Sequence, residues 1–191
     1  KHVASRIGVS EKNANLIAHD ENTFNLVARL FSCYFSDVKK KTTVVTTDGE
    51  FQSFERLLIS LEQKMGFRAV RVATDSHDDL TERIVSAIKK NKPDVVYVST
   101  VFFQDGYVLQ DVPSIIEQAR KVGATVVLDA YHQFNNRRMS VDKLGKDIFV
   151  VGGGYKGGSA GEGAAWMKIP EHCTLEPVIT GWFADFSALG E

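Results

Sequence analysis

Short apolar runs rich in β-branched residues alternate along this chain with longer stretches whose apolar positions recur every three or four residues. The short runs lie at residues 16–18, 43–47, 69–72, 95–98, 125–128, 148–151 and 164–167. Continuous apolar runs of this length predict strands buried on both faces. Between them, residues 22–35 carry Phe24, Val27, Leu30, Phe31 and Tyr34 at helical spacing, and residues 51–65 repeat the pattern through Phe54, Leu57, Leu58 and Leu61. A third helix is predicted over 80–90, after the acidic pair Asp78-Asp79 that suits a helix dipole. A fourth, over 113–122, opens on Pro113 and stops at Gly123. Strand–helix alternation predicts a three-layer α/β/α fold with a mostly parallel, seven-stranded sheet. Ligands of such sheets bind beyond the carboxyl ends of the strands. That rule places Asn22-Thr23, Phe51, Asp105, Asp129 and Lys156 along one rim.

Bulk composition narrows the class. With 191 residues, 43% of them hydrophobic, the chain is long enough for one domain with a sizeable core. A net charge of −1 argues against a polyanion-binding surface, and so against nucleic acid as a partner. Cys33 and Cys173 form neither a disulfide framework nor a metal-ligand spacing, which predicts a cytoplasmic protein with reduced thiols. No apolar run approaches the ~20 residues of a membrane span. The start, Lys1-His2-Val3-Ala4, does not read as a signal peptide, and it lacks methionine, so the sequence reads as cut from a longer chain.

Lys156 carries the most chemistry. It sits in Gly152-Gly153-Gly154-Tyr155-Lys156-Gly157-Gly158, just past a strand, where glycines allow the backbone to press close to something else. A phosphate-binding loop is the competing reading, but Lys156 is followed by Gly157 and not by Ser or Thr. Twenty-seven residues earlier a strand ends on Asp129. A lysine and an aspartate at neighbouring strand ends suit pyridoxal phosphate, the lysine as Schiff-base amine and the carboxylate against the pyridine nitrogen. His132 is a candidate to stack near that ring or bond its 3-oxygen, against the ordinary reading of a structural loop histidine. Phe51 is either a core residue or a ring stacked on the cofactor. Asn22 and Thr23 read as a helix N-cap, and the same N-terminus is a phosphate site. Tyr155 is a further candidate phosphate donor, or simply packing.

These stretches resemble the class V aminotransferases among the pyridoxal-phosphate enzymes of fold type I, and especially kynureninase-like members. The resemblance rests on Gly154-Tyr155-Lys156 with Gly161-Glu162-Gly163, on Asp129-Ala130-Tyr131-His132, and on Thr180-Gly181-Trp182-Phe183. It implies Lys156 as the Schiff-base lysine, Asp129 as the pyridine partner and Phe51 as the stacking ring. It also implies phosphate contacts from Asn22, Thr23, Tyr155 and Trp182, an amino-acid substrate, and a homodimer. Residues 1–191 then correspond to the large domain, with a smaller domain and its substrate-carboxylate arginine contributed by segments outside them. Three positions depart from the pattern: Asn22 where many members have Thr, Gly157-Gly158-Ser159 where bulkier residues are usual, and Phe102 where kynureninases place a polar residue. Two alternatives stand beside this reading. One is a cysteine desulfurase-like enzyme, which needs an exposed, low-pKa cysteine on a mobile loop. The other is a truncated or cofactor-less homologue serving as a dimerisation or scaffold module.

Overall fold

In the computed structural model, which describes residues 1–35 and 41–180, seven strands form one sheet. They are β1 (Ile17–Asp20), β2 (Thr43–Thr47), β3 (Arg68–Val72), β4 (Val95–Ser99), β5 (Thr125–Asp129), β6 (Phe149–Gly153) and β7 (Ala165–Lys168). The helices are α1 (His2–Arg6), α2 (Thr23–Ser32), α3 (Gln52–Met65), α4 (Leu80–Asn91), α5 (Val112–Val122) and α6 (Val141–Leu144). The strand order is β1-β7-β6-β5-β4-β2-β3. Pairings among β2 to β6 are parallel, and β7 runs antiparallel to both of its neighbours. The predicted mostly parallel seven-stranded sheet is thus observed. Strands β1 to β6 share one direction, so their carboxyl ends make a single rim.

Alternation along the strands divides the core into two layers. On one face, Leu26, Val27, Leu30 and Phe31 of α2 and Phe54, Leu58 and Leu61 of α3 pack on Val44, Val95, Tyr97, Val127 and Val151. On the other, α4 and α5 bring Ile84, Ile88, Ile115 and Ile116 against Val45, Val96, Val98, Val126 and Leu128. Ile116 is fully buried. Ile116→Ala is expected to cost about 2–5 kcal/mol, read as a lower urea midpoint at unchanged slope.

Several element ends differ from the sequence expectation for identifiable reasons. Helix α2 closes at Ser32, short of residue 35. The Ser32 hydroxyl donates back to the Arg29 carbonyl at 2.7 Å, and Cys33 and Tyr34 N–H donate to carbonyls three residues back. The first strand starts at Ile17 because Glu11–Leu16 forms a 3-10 helix. Helices α1 and α6, of five and four residues, are too short to show a periodicity. Phe51 is the N-cap of α3 and not its first turn, with extended backbone (φ −64°, ψ 140°). Its ring therefore stands outside the helix.

Candidate active site at the strand carboxyl ends

The rim is built around Asp129, the last residue of β5. It follows Val127 by two positions and so faces the α2/α3 side of the sheet. Only 8% of it is exposed. Tyr97, on the same face of β4, donates its hydroxyl to Oδ2 at 2.7 Å, and the Tyr131 N–H donates to Oδ1 at 2.8 Å. Burial pushes the Asp129 carboxyl above the ordinary aspartate value, opposed by those two hydrogen bonds and by the charge of Lys156. A buried carboxylate holding two neutral donors and facing an amine is primed to take a further cationic N–H.

Lys156 enters the same cavity from the loop between β6 and β7. Its Nζ is 2.7 Å from His132 Nε2, 5.3 Å from the centre of the Phe51 ring and 5.6 Å from that of Tyr131. Burial and then the Lys156 charge hold the His132 imidazole below its ordinary pKa, so the neutral ring accepts from the amine. The glycines of the loop are explained by the protein itself. A Cβ on Gly153 would lie 2.5 Å from the Tyr131 ring, and one on Gly157 would strike the Phe134 carbonyl. The expected close approach is real, but at these two positions the partner is the β5–α6 segment.

Asn22, Thr23, Phe51, Asp129, His132, Tyr155 and Lys156 all line one cavity of about 750 Å³. Seven of the eight predicted site residues are thereby brought together. The eighth, Trp182, lies outside the described residues. Asn22 caps α2, its side-chain oxygen accepting from Asn25 N–H at 2.8 Å. Thr23 follows at the first helical position, and Phe51 (40% exposed) and Tyr155 (55%) are open to the cavity mouth. A helix N-terminus with a hydroxyl, a buried carboxylate and an amine are the three groups pyridoxal phosphate requires, so the residues present fit it.

Two sequence expectations are corrected. Asp105 is on the rim but turns away from the cavity, its carboxylate 2.7 Å from His77 Nε2 beyond the end of β3. Phe102 is a core residue, 2% exposed, and has no substrate-facing role. The neighbouring ring, Phe103, packs edge-on against Phe51 at 5.3 Å and lies 6.4 Å from His132. Tyr97 and Tyr131 were also missed as site residues. The Tyr131 position is signalled only by adjacency to Asp129, and Tyr97 reads as strand packing.

Neither cysteine reaches the site. Cys33 caps the carboxyl end of α2, and the next residue, Tyr34, bonds Thr125 at the start of β5. Cys173 lines a separate hollow with Thr125 and Phe149, at the opposite end of the strands. Burial raises the Cys33 thiol to about 11.

Comparison with known proteins agrees with this fold. The family model Aminotransferase class-V matches residues 3–183. No curated protein sequence matches the chain. Among solved structures, an apo cysteine desulfurase from Thermococcus onnurineus NA1 is similar at 27% identity and TM-score 0.71, over 88% of this chain and 41% of that one. The ureidoglycine–glyoxylate aminotransferase of Bacillus subtilis is similar at 20% identity and TM-score 0.69, covering 88% and 42%. A mutant of the C-DES lyase, with glycine covalently linked to its PLP cofactor, gives 15% identity and TM-score 0.75, covering 94% and 47%. This chain spans less than half the length of each of these three structures. A family match over nearly every residue, on a sheet whose rim gathers the predicted side chains, places the chain in the aminotransferase class-V family.

Proposed function

We propose that this chain is the cofactor-bearing large domain of a cytoplasmic, homodimeric pyridoxal-phosphate enzyme acting on an amino acid. The observation that carries the reading is the opposition of a buried carboxylate, Asp129, and an accessible amine, Lys156, in one cavity. Bound there, pyridoxal phosphate supplies an aldehyde for an amine and a ring that accepts the electron pair released at the substrate Cα. Lys156 Nζ would hold the cofactor and would serve as the general base that carries the Cα proton. His132 Nε2 accepts from that amine and orients it. Asp129 presents a carboxylate to the ring nitrogen, and Tyr97 and Tyr131 hold that carboxylate in place. Phe51 covers one face of the ring site. Thr23, Tyr155 and the N-cap residue Asn22 serve the phosphate, with Trp182 as the resemblance suggests. Exposed Phe24 and Tyr155 at the cavity mouth suit coverage by a second copy.

Transamination and kynureninase-type Cβ–Cγ cleavage are the outcomes suggested by the sequence resemblance. A desulfurase is the second reading, supported by the likeness to the Thermococcus enzyme. Both described cysteines sit at the far end of the sheet, so that reading needs a persulfide acceptor from elsewhere. The test is to add pyridoxal phosphate, reduce with borohydride and map the labelled peptide. The expected result is one adduct, on Lys156. An unlabelled protein with an unchanged visible spectrum would favour the scaffold alternative.

A further inference from the structure

Glu50 is a buried carboxyl that no step above uses. It is 4% exposed and lies one residue before Phe51, in the turn between β2 and α3. Three donors converge on it. Thr47 Oγ1 donates to Oε1 at 2.7 Å, Ser99 N–H to Oε1 at 3.1 Å and Ser99 Oγ to Oε2 at 2.5 Å. Ser99 is paired in register with Asp129 on the adjacent strand. The clamp therefore ties the Phe51 turn to the strand end beside the site carboxylate.

The titratable groups acting on Glu50 are Asp129 on β5 and Tyr97 on β4; Thr47 and Ser99 contribute neutral donors. Lys156 acts on Asp129. Two carboxyls buried on one rim, one in the turn after β2 and one at the end of β5, do not both ionise readily, because neither charge is solvated and each repels the other. The one facing the amine ionises first. Burial, together with the charge of Asp129, raises Glu50 to about 7, against its three hydrogen bonds.

We propose that Glu50 is a positioning residue: protonated, with its proton on the Oε2–Ser99 Oγ contact, and clamped between Thr47 and Ser99, it fixes the turn that aims Phe51 over the cavity and leaves Asp129 as the ionised carboxyl. The stacking role of Phe51 rests on the cofactor reading above. The proton on Glu50 does not.

Two measurements on wild-type, Glu50→Gln and Glu50→Ala chains separate these parts. In cofactor-free protein, native Glu50 keeps its proton where the unfolded chain has lost it. Stability therefore falls as pH rises from about 4.5 through about 7. Glu50→Gln is expected to flatten that slope. In pyridoxal-phosphate titrations followed by visible circular dichroism, Glu50→Ala is expected to bind about tenfold more weakly with a diminished signal. Glu50→Gln, which keeps an acceptor for Ser99 N–H and Thr47 O–H, is expected to recover both to within about threefold. An unchanged pH slope in Glu50→Gln, or wild-type affinity and dichroism in Glu50→Ala, overturns the proposal. If the wild-type chain takes no cofactor while the slope behaves as expected, the cofactor reading fails and the protonated clamp stands.

Discussion

Replacing Lys156 with alanine is expected to abolish the borohydride-fixed pyridoxal-phosphate adduct while leaving the fold intact. Among the described residues lining the cavity, Lys156 is the one lysine or arginine. Among the described residues no neighbouring amine is in place to substitute for it. The stability change is expected to lie within about 1.5 kcal/mol, because the side chain is exposed and loses one hydrogen bond to His132 and its contacts with the Phe51 and Tyr131 rings. A second readout needs no cofactor at all. The Lys156 charge depresses the His132 pKa as the lesser of two causes, behind burial. Lys156→Ala removes that repulsion, so the His132 titration in nuclear magnetic resonance is expected to move up, part of the way to its ordinary value. The same change strips Asp129 of the positive charge that favours its ionised form, and its carboxyl pKa is expected to rise further. An adduct persisting elsewhere in Lys156→Ala sinks the assignment of the amine. A stationary His132 titration sinks the geometry behind it.

How much of this site shows in the sequence depends on the range over which each signal acts. Asp129 is legible because a carboxylate closing an aliphatic strand contradicts the burial of its neighbours. Lys156 is legible because its glycines mark a tightly folded loop. Both are local signals. Tyr97 is not legible, because its partner lies thirty-two residues away and the pairing exists only once β4 and β5 are side by side. Glu50 is hidden for the same reason, its clamp reaching forty-nine residues to Ser99. The strands themselves follow from apolar runs, but their order does not. Asp105 is expected on the rim because it lies beyond the carboxyl end of a strand. The turn that carries it leans instead to His77 after β3, and periodicity contains nothing about that choice. The direction of β7 does have a sequence correlate. No helical pattern separates residues 151 and 164, so no crossover returns the chain for a parallel pairing.

Asp129→Asn is expected to separate chemistry from stability. The amide keeps the shape of the carboxylate: its oxygen accepts from the Tyr131 N–H, and its NH2 donates to the Tyr97 hydroxyl, which turns to accept. What it loses is the negative charge that the proposed function assigns to the ring nitrogen. A fixed charge of that kind acts on the transition state, where electron density flows into the ring, and its removal costs about 10²–10³-fold in rate. The measurement is the exchange of the Cα hydrogen of an added amino acid in heavy water, with cofactor-loaded protein. Cofactor attachment through Lys156 is expected to survive, so the loss appears in exchange and not in labelling. Stability should move the other way. Burial raises the Asp129 pKa, which means the folded protein disfavours the charged form relative to the unfolded chain. At neutral pH a neutral isostere relieves that penalty, and the thermal midpoint is expected to hold or rise. A carboxylate kept for architecture alone predicts the reverse, unchanged exchange with a lower midpoint. A charge at Asp129 held against the preference of the fold is what the proposed cofactor role predicts, and the two readouts of Asp129→Asn test it together.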